Sequence, residues 1–184
     1  MTAVSLLLTA VFAGLYFSGS SWAVSCAITF GTFFYHFAMR LLVGHMINRR
    51  MGNQADYTKR WYQLCPFEVR LYKKLKVKQW KGNLPTYDPT LFDPKLHSWE
   101  EIAQAMCQAE IVHEVIAVLS FLPLFTAISF GSFSVFLFTS VFSALFDLCF
   151  VVIQRYNRPR ILKLLRSSHG RIPERRKKDA YMES

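Results

Sequence analysis

Charge is missing from two long parts of this sequence. Across its 184 residues, no Asp, Glu, Lys or Arg stands between Thr2 and Met39, and none between Val115 and Phe146. Each run exceeds the roughly 20 apolar residues that cross a bilayer once, which excludes a soluble domain. Acidic residues are also scarce, 12 against 22 basic residues and 17 phenylalanines, in a chain that is 52% hydrophobic. No soluble core of this length needs so much apolar surface. The start, "MTAVSLLL", lacks a basic n-region, so no cleaved secretory leader is expected. The four cysteines (Cys26, Cys65, Cys107 and Cys149) form no Cys-x-x-Cys pair and read as reduced and structural. There is no Gly-x-Ser-x-Gly elbow and no glycine-rich phosphate loop. With five histidines and a single Glu-x-x-His, the chain is too poor in ligands for a di-iron or His-rich oxidase centre, so no metal is expected.

What is present is a very uneven spread of cations. Of the 22 Lys and Arg, 11 lie between Arg49 and Lys95 and 10 between Arg155 and Lys178; the last is Arg40. The links "SGSS" (18–21) and "SFGS" (129–132) contain none. Basic loops stay in the cytoplasm. The expected fold is therefore an all-α integral membrane protein with about four transmembrane helices and both termini cytoplasmic. The spans fall at about 3–17, 22–47, 111–130 and 133–156, and the cytoplasmic loop 48–110 carries interfacial helices. These make one membrane domain, 1–170, followed by a basic disordered tail, 171–184. Pro123 is expected to bend the third span and Pro159 to stop the fourth. In the loop, Phe67, Leu71 and Leu75 space an apolar face among cations and aromatics, which suits anionic lipid rather than nucleic acid. Ser98 with Glu101 reads as a capping box, opening a helix that runs into the third span.

Ionisable groups at membrane depth are expensive, so each needs a reason. His36 and Arg40 stand one turn apart on the second span. Glu110, His113 and Glu114 share a face at the start of the third, and Asp147 lies inside the fourth. Singly, Arg40 reads as a headgroup anchor and His36 as an interhelical hydrogen-bonding residue. Together, both signs of charge on three spans read as one polar cleft. In it His113 is the candidate general base and Glu110 its orienter. Arg155, Asn157 and Arg158, from "QRYNRPR", are read as facing a site and steadying an oxyanion or a donor's phosphates.

The strings "VKQWKGNLP" (77–85), "QAEIVHE" (108–114) and "QRYNRPR" (154–160) resemble the bacterial glycosyl-4,4'-diaponeurosporenoate acyltransferase family, over roughly Lys59 to Leu165. The family pattern falls on Glu68, Trp80, Lys81, Leu84, Pro85, Glu110, His113 and Gln154 to Pro159. The chain departs from it at Gln108, where Arg is expected, at Glu114 (an aromatic) and at Asp147 (Asn). The resemblance implies a multi-pass enzyme of the cytoplasmic membrane that moves a fatty acyl group onto a hydroxyl of a glycolipid or other lipid-linked alcohol, with a carotenoid glycoside as one acceptor. The resemblance carries over no catalytic assignment; from the residues themselves His113 and Glu110 are expected to be catalytic, and Arg155, Asn157, Arg158, His36, Arg40, Trp80 and Lys81 to bind substrate. No bound cofactor is expected; the acyl donor, acyl-CoA or acyl carrier protein, is a co-substrate. No oligomeric state follows. A non-catalytic lipid-binding or assembly protein is the alternative, and a different lipid transferase or hydrolase a third reading.

Overall fold

A computed structural model describes residues 1–84, 89–131 and 133–182, with the side chains of 129, 130 and 169–182 outside the description. Among the described residues seven α-helices follow one another: α1 (Thr2–Phe17), α2 (Ala23–Met51), α3 (Pro66–Lys74), α4 (Val77–Trp80), α5 (Trp99–Leu119), α6 (Ala127–Phe130) and α7 (Phe133–Met182), joined by turns and short 3₁₀ segments. No strand occurs among the described residues. Three helical stretches are long and apolar enough to cross a membrane, Ala23–Met51, Trp99–Thr126 and Phe133–Ser168. The chain is an all-α membrane protein.

The expected first span is α1, whose 16 residues extend about 24 Å, short of a hydrocarbon core of about 30 Å. The expected third span starts earlier, because its helix begins at Trp99 under the Ser98 cap. There the Ser98 N–H donates to Glu101 Oε2 at 2.7 Å, and the Glu101 N–H donates back to Ser98 Oγ at 3.2 Å. Ser98→Ala is expected to cost about 1 kcal/mol, measured as a fall in thermal unfolding midpoint; an unchanged midpoint would show that the cap is dispensable. Pro123 sits in a 3₁₀ turn, Leu122–Thr126, so the α-helix ends at Leu119 rather than bending through the proline.

The fourth span does not stop before Pro159. Helix α7 continues through it to Met182, across most of the segment expected as a tail; residues 183–184 lie outside the description. A proline in a helix interior costs about 3 kcal/mol, yet Arg155 and Arg158 in the turn before it are both ion-paired, which holds the helical path. The loop expected around "GNLPTYDP" falls partly on 85–88, also outside the description. In the basic loop, the helix from Pro66 ends at Lys74, and Lys76 takes a left-handed φ of 52° before α4. Tyr72 and Val77 are buried there, while Phe67 and Leu75 stay exposed.

The chain divides into two compact units. The first holds Met1–Arg50 and Val112–Leu148. Its core is Met39, Val43 and Ile116, against which Tyr35, Ile47, Val112, Val115 and Leu119 pack. The α2 members recur every four residues, one stripe of a helix. The opposite faces keep Leu41, Leu42, Val118, Phe138 and Phe142 exposed, as lipid-facing residues should be. The link at Ser18 turns tightly because Gly19 adopts a φ of 99°, which a side chain would resist. The second unit holds Met51–Ile111 and Cys149–Ser184.

Candidate functional site

Arg40, His113, Ser143 and Ser120 of the first unit gather around Asp147. This residue is 1% exposed and sits seven residues before Gln154 on α7. One carboxylate oxygen lies 3.0 Å from His113 Nδ1; the other accepts from the Arg40 guanidinium. Arg40 Nη2 also donates to Ser143 Oγ at 2.9 Å, and Ser143 Oγ lies 3.1 Å from Ser120 Oγ. A guanidinium only donates, so Asp147 Oδ2 accepts from Arg40, and a carboxylate here accepts at its other oxygen as well. In the tautomer whose Nδ1–H donates to that oxygen, Nε2 is the ring's basic nitrogen. This is the arrangement of a general base with its orienting carboxylate.

Glu110 was expected to orient His113. The carboxylate at the Nδ1 nitrogen is instead Asp147, and both oxygens of Glu110 are engaged by arginines. His36 is buried one turn before Arg40 on α2, with neither ring nitrogen hydrogen-bonded, and its ring meets Tyr35 edge-on.

The second unit gathers the arginines of "QRYNRPR". Arg155 makes a forked pair with Glu68, Nε to Oε1 at 2.5 Å and Nη2 to Oε2 at 2.9 Å, and donates from Nη1 to Glu110 Oε1 at 2.6 Å. Arg158 donates to the other oxygen of Glu110 and, at 2.8 Å, to the Tyr62 carbonyl; its guanidinium also stacks 5.1 Å over the Tyr62 ring. Arg155 further donates to the carbonyls of Trp61 and Gln63. Two guanidiniums thus meet two carboxylates, and the cluster is neutral. Glu110 and Arg158 are 0% and 1% exposed. The expected anion-holding role does not suit these arginines, because their charge is already matched inside the protein.

Burial alone would push the Glu68 carboxyl up. Hydrogen bonds from Arg155, the Cys65 N–H and the Tyr72 hydroxyl overcome this and bring it down to about 2. The same burial and contact raise the Tyr72 hydroxyl well above its usual value. Because Glu68 is depressed in the fold from 4.5, its pairing stabilises fully above the unfolded value and is lost as pH falls through the folded one. The unfolding midpoint is expected to hold from neutrality to about pH 5 and to decline between about pH 5 and pH 2. Glu68→Gln should flatten that decline; an identical acid limb in wild type and variant would rule the pairing out.

Of the other expected residues, Lys81 Nζ donates to Asn157 Oδ1 at 2.6 Å. Trp80 Nε1 donates to the Leu75 carbonyl at 3.0 Å, which ties the indole to its own turn. Sequence reasoning did not single out Ser143 or Ser120, or Glu68 as a partner of Arg155. Ser143 stands one turn before Asp147, the one signal that could have found it. A cleft of about 570 Å³ lined by Tyr57, Thr58, Gln63, Leu162, Leu165 and Arg166 also lies in this unit, and shares no residue with either polar cluster.

The sequence model for glycosyl-4,4'-diaponeurosporenoate acyltransferase matches residues 58–167. No curated protein and no solved structure matches the chain.

Proposed function

The chain belongs to the glycosyl-4,4'-diaponeurosporenoate acyltransferase family, and from that premise we propose that His113 is its general base and Asp147 the residue that positions it. An acyltransferase of the membrane takes an acyl donor and an acceptor. The acceptor in this reading is a hydroxyl of a glycolipid or other lipid-linked alcohol, a carotenoid glycoside among them, and the donor is a thioester of coenzyme A or of acyl carrier protein. His113 Nε2 takes the proton of that hydroxyl as its oxygen attacks the thioester carbonyl. The tetrahedral intermediate expels the thiolate, which receives the same proton back from the imidazolium. An ester and a free thiol result. Asp147 keeps the reactive tautomer and steadies the imidazolium; Arg40 holds Asp147 in place by donating to its other oxygen. The distribution of cations supports a cytoplasmic donor side, with both termini in the cytoplasm of a bacterial cell.

The observation that carries this reading is the carboxylate of Asp147 shared between His113 and Arg40. The test is comparative lipid analysis of cells lacking the gene, complemented with wild type or with His113→Gln at equal protein level. An acylated glycolipid should vanish on deletion and return with wild type only, which also names the acceptor. Full restoration by His113→Gln would make the histidine structural and favour the alternative, a lipid-binding or assembly protein.

A further inference from the structure

With Arg155 and Arg158 neutralised by Glu68 and Glu110, the unmatched charge of the second unit lies elsewhere. Lys81 Nζ sits 5.2 Å from the centre of the Tyr156 ring and the Arg160 guanidinium 4.6 Å from it, so one aromatic ring gathers both cations. Arg160 Nη2 donates to the Tyr156 hydroxyl at 2.8 Å, and Asn157 Oδ1 holds the ammonium of Lys81. Neither cation, nor the nearby Lys78, has a carboxylate partner among the described residues. Burial lowers the Lys81 ammonium from its usual value, and the positive charges of Arg160 and Lys78 lower it further. Two cations gathered on one ring, each fixed by a hydrogen bond and neither offset by a carboxylate among the described residues, make a place where an anion is stabilised.

We propose that Lys81 and Arg160 form a binding site for a phosphate ester. Arginine offers a planar fork to two phosphate oxygens and lysine a compact point charge, a combination suited to phosphate. Arg160 is exposed and Lys81 partly so, so the ligand reaches the site from outside the protein. Two sources share this chemistry, a soluble phosphate ester such as the nucleotide end of an acyl donor, and the headgroup of an anionic phospholipid. The site does not rest on His113 or on acyl transfer.

The experiment uses the full chain and two probes. In one arm, protein in phosphatidylcholine nanodiscs is titrated with coenzyme A. In the other, phosphatidylglycerol retained after extraction into a non-ionic detergent is counted by mass spectrometry. Lys81→Gln and Arg160→Gln should each weaken binding about tenfold in the arm that holds the ligand, the loss of one charge-assisted contact. Lys95→Gln, an exposed lysine outside the cluster, should bind as wild type. The arm that shows the loss names the source. The proposal fails if wild type binds in neither arm, if Arg160→Gln binds as wild type in both, or if Lys95→Gln loses as much. Should Lys81→Gln not fold, the exposed Arg160→Gln decides alone. His113→Gln should retain probe binding, so failure of acyl transfer and failure of this site are read separately.

Discussion

Glu110→Gln is expected to lose roughly 3–5 kcal/mol of stability, the cost of removing one partner from a buried ion pair. In the wild type, Glu110 satisfies Arg155 with one oxygen and Arg158 with the other. Without its charge, Arg155 keeps Glu68, but Arg158, at 1% exposure, keeps only the Tyr62 carbonyl and ring among the described residues. A buried guanidinium facing neutral dipoles is the expensive case. The converse follows from the same physics. Glu110→Leu combined with Arg158→Met removes both charges and leaves the forked Arg155–Glu68 pair intact, so the double variant should recover much of what Glu110→Leu loses. Equilibrium unfolding in mixed micelles measures both. If Glu110→Gln unfolds like wild type but no longer transfers acyl groups, Glu110 has a chemical task and its reading as a structural ion-pair partner is wrong.

Glu110 also shows where the sequence stopped being informative. Hydropathy marked the long apolar helices, because a bilayer leaves few alternatives. Ser98 and Glu101 marked the start of α5, because a capping box acts between residues three apart. The Glu-x-x-His spacing marked a polar face on α5, which is all that spacing can do. A face does not name its partners: Glu110 meets arginines, and His113 meets Asp147, 34 residues away along the chain. The depth of Asp147 announced that it needed a counter-charge, but Arg40 stands 107 residues off and only packing could select it. Pro159 misled for a related reason. The local rule stops a helix there, and the ion pairs of Arg155 and Arg158 override it.

Asp147→Asn is expected to abolish most acyl transfer, lowering kcat by about 10³–10⁴-fold with KM little changed and the fold retained. The reason lies in Arg40 more than in the lost charge. Arg40 can only donate, so an amide in place of the carboxylate must turn its carbonyl oxygen to Arg40, which leaves its NH₂ facing His113 Nδ1. Nδ1 must then accept, the ring proton moves to Nε2, and the nitrogen that should take the acceptor's proton already carries one. Adding Arg40→Gln removes this constraint, because a glutamine can donate to or accept from the asparagine. The amide is then free to rotate its oxygen back to His113, and the double variant should regain at least about tenfold over Asp147→Asn. Nitrogen-15 NMR of labelled histidine checks the tautomer directly, with Nδ1 protonated in wild type and Nε2 in the single variant. The same logic bears on Asp147 itself, where the resemblance led to an expectation of Asn: with Arg40 beside it, an Asn would hold the ring in the other tautomer, and only a carboxylate can accept from both neighbours at once. Wild-type turnover by Asp147→Asn would overturn the positioning role and with it the assignment of His113 as base. Loss of kcat without rescue by Arg40→Gln would keep the carboxylate essential for its charge alone, as the counter-ion of the imidazolium.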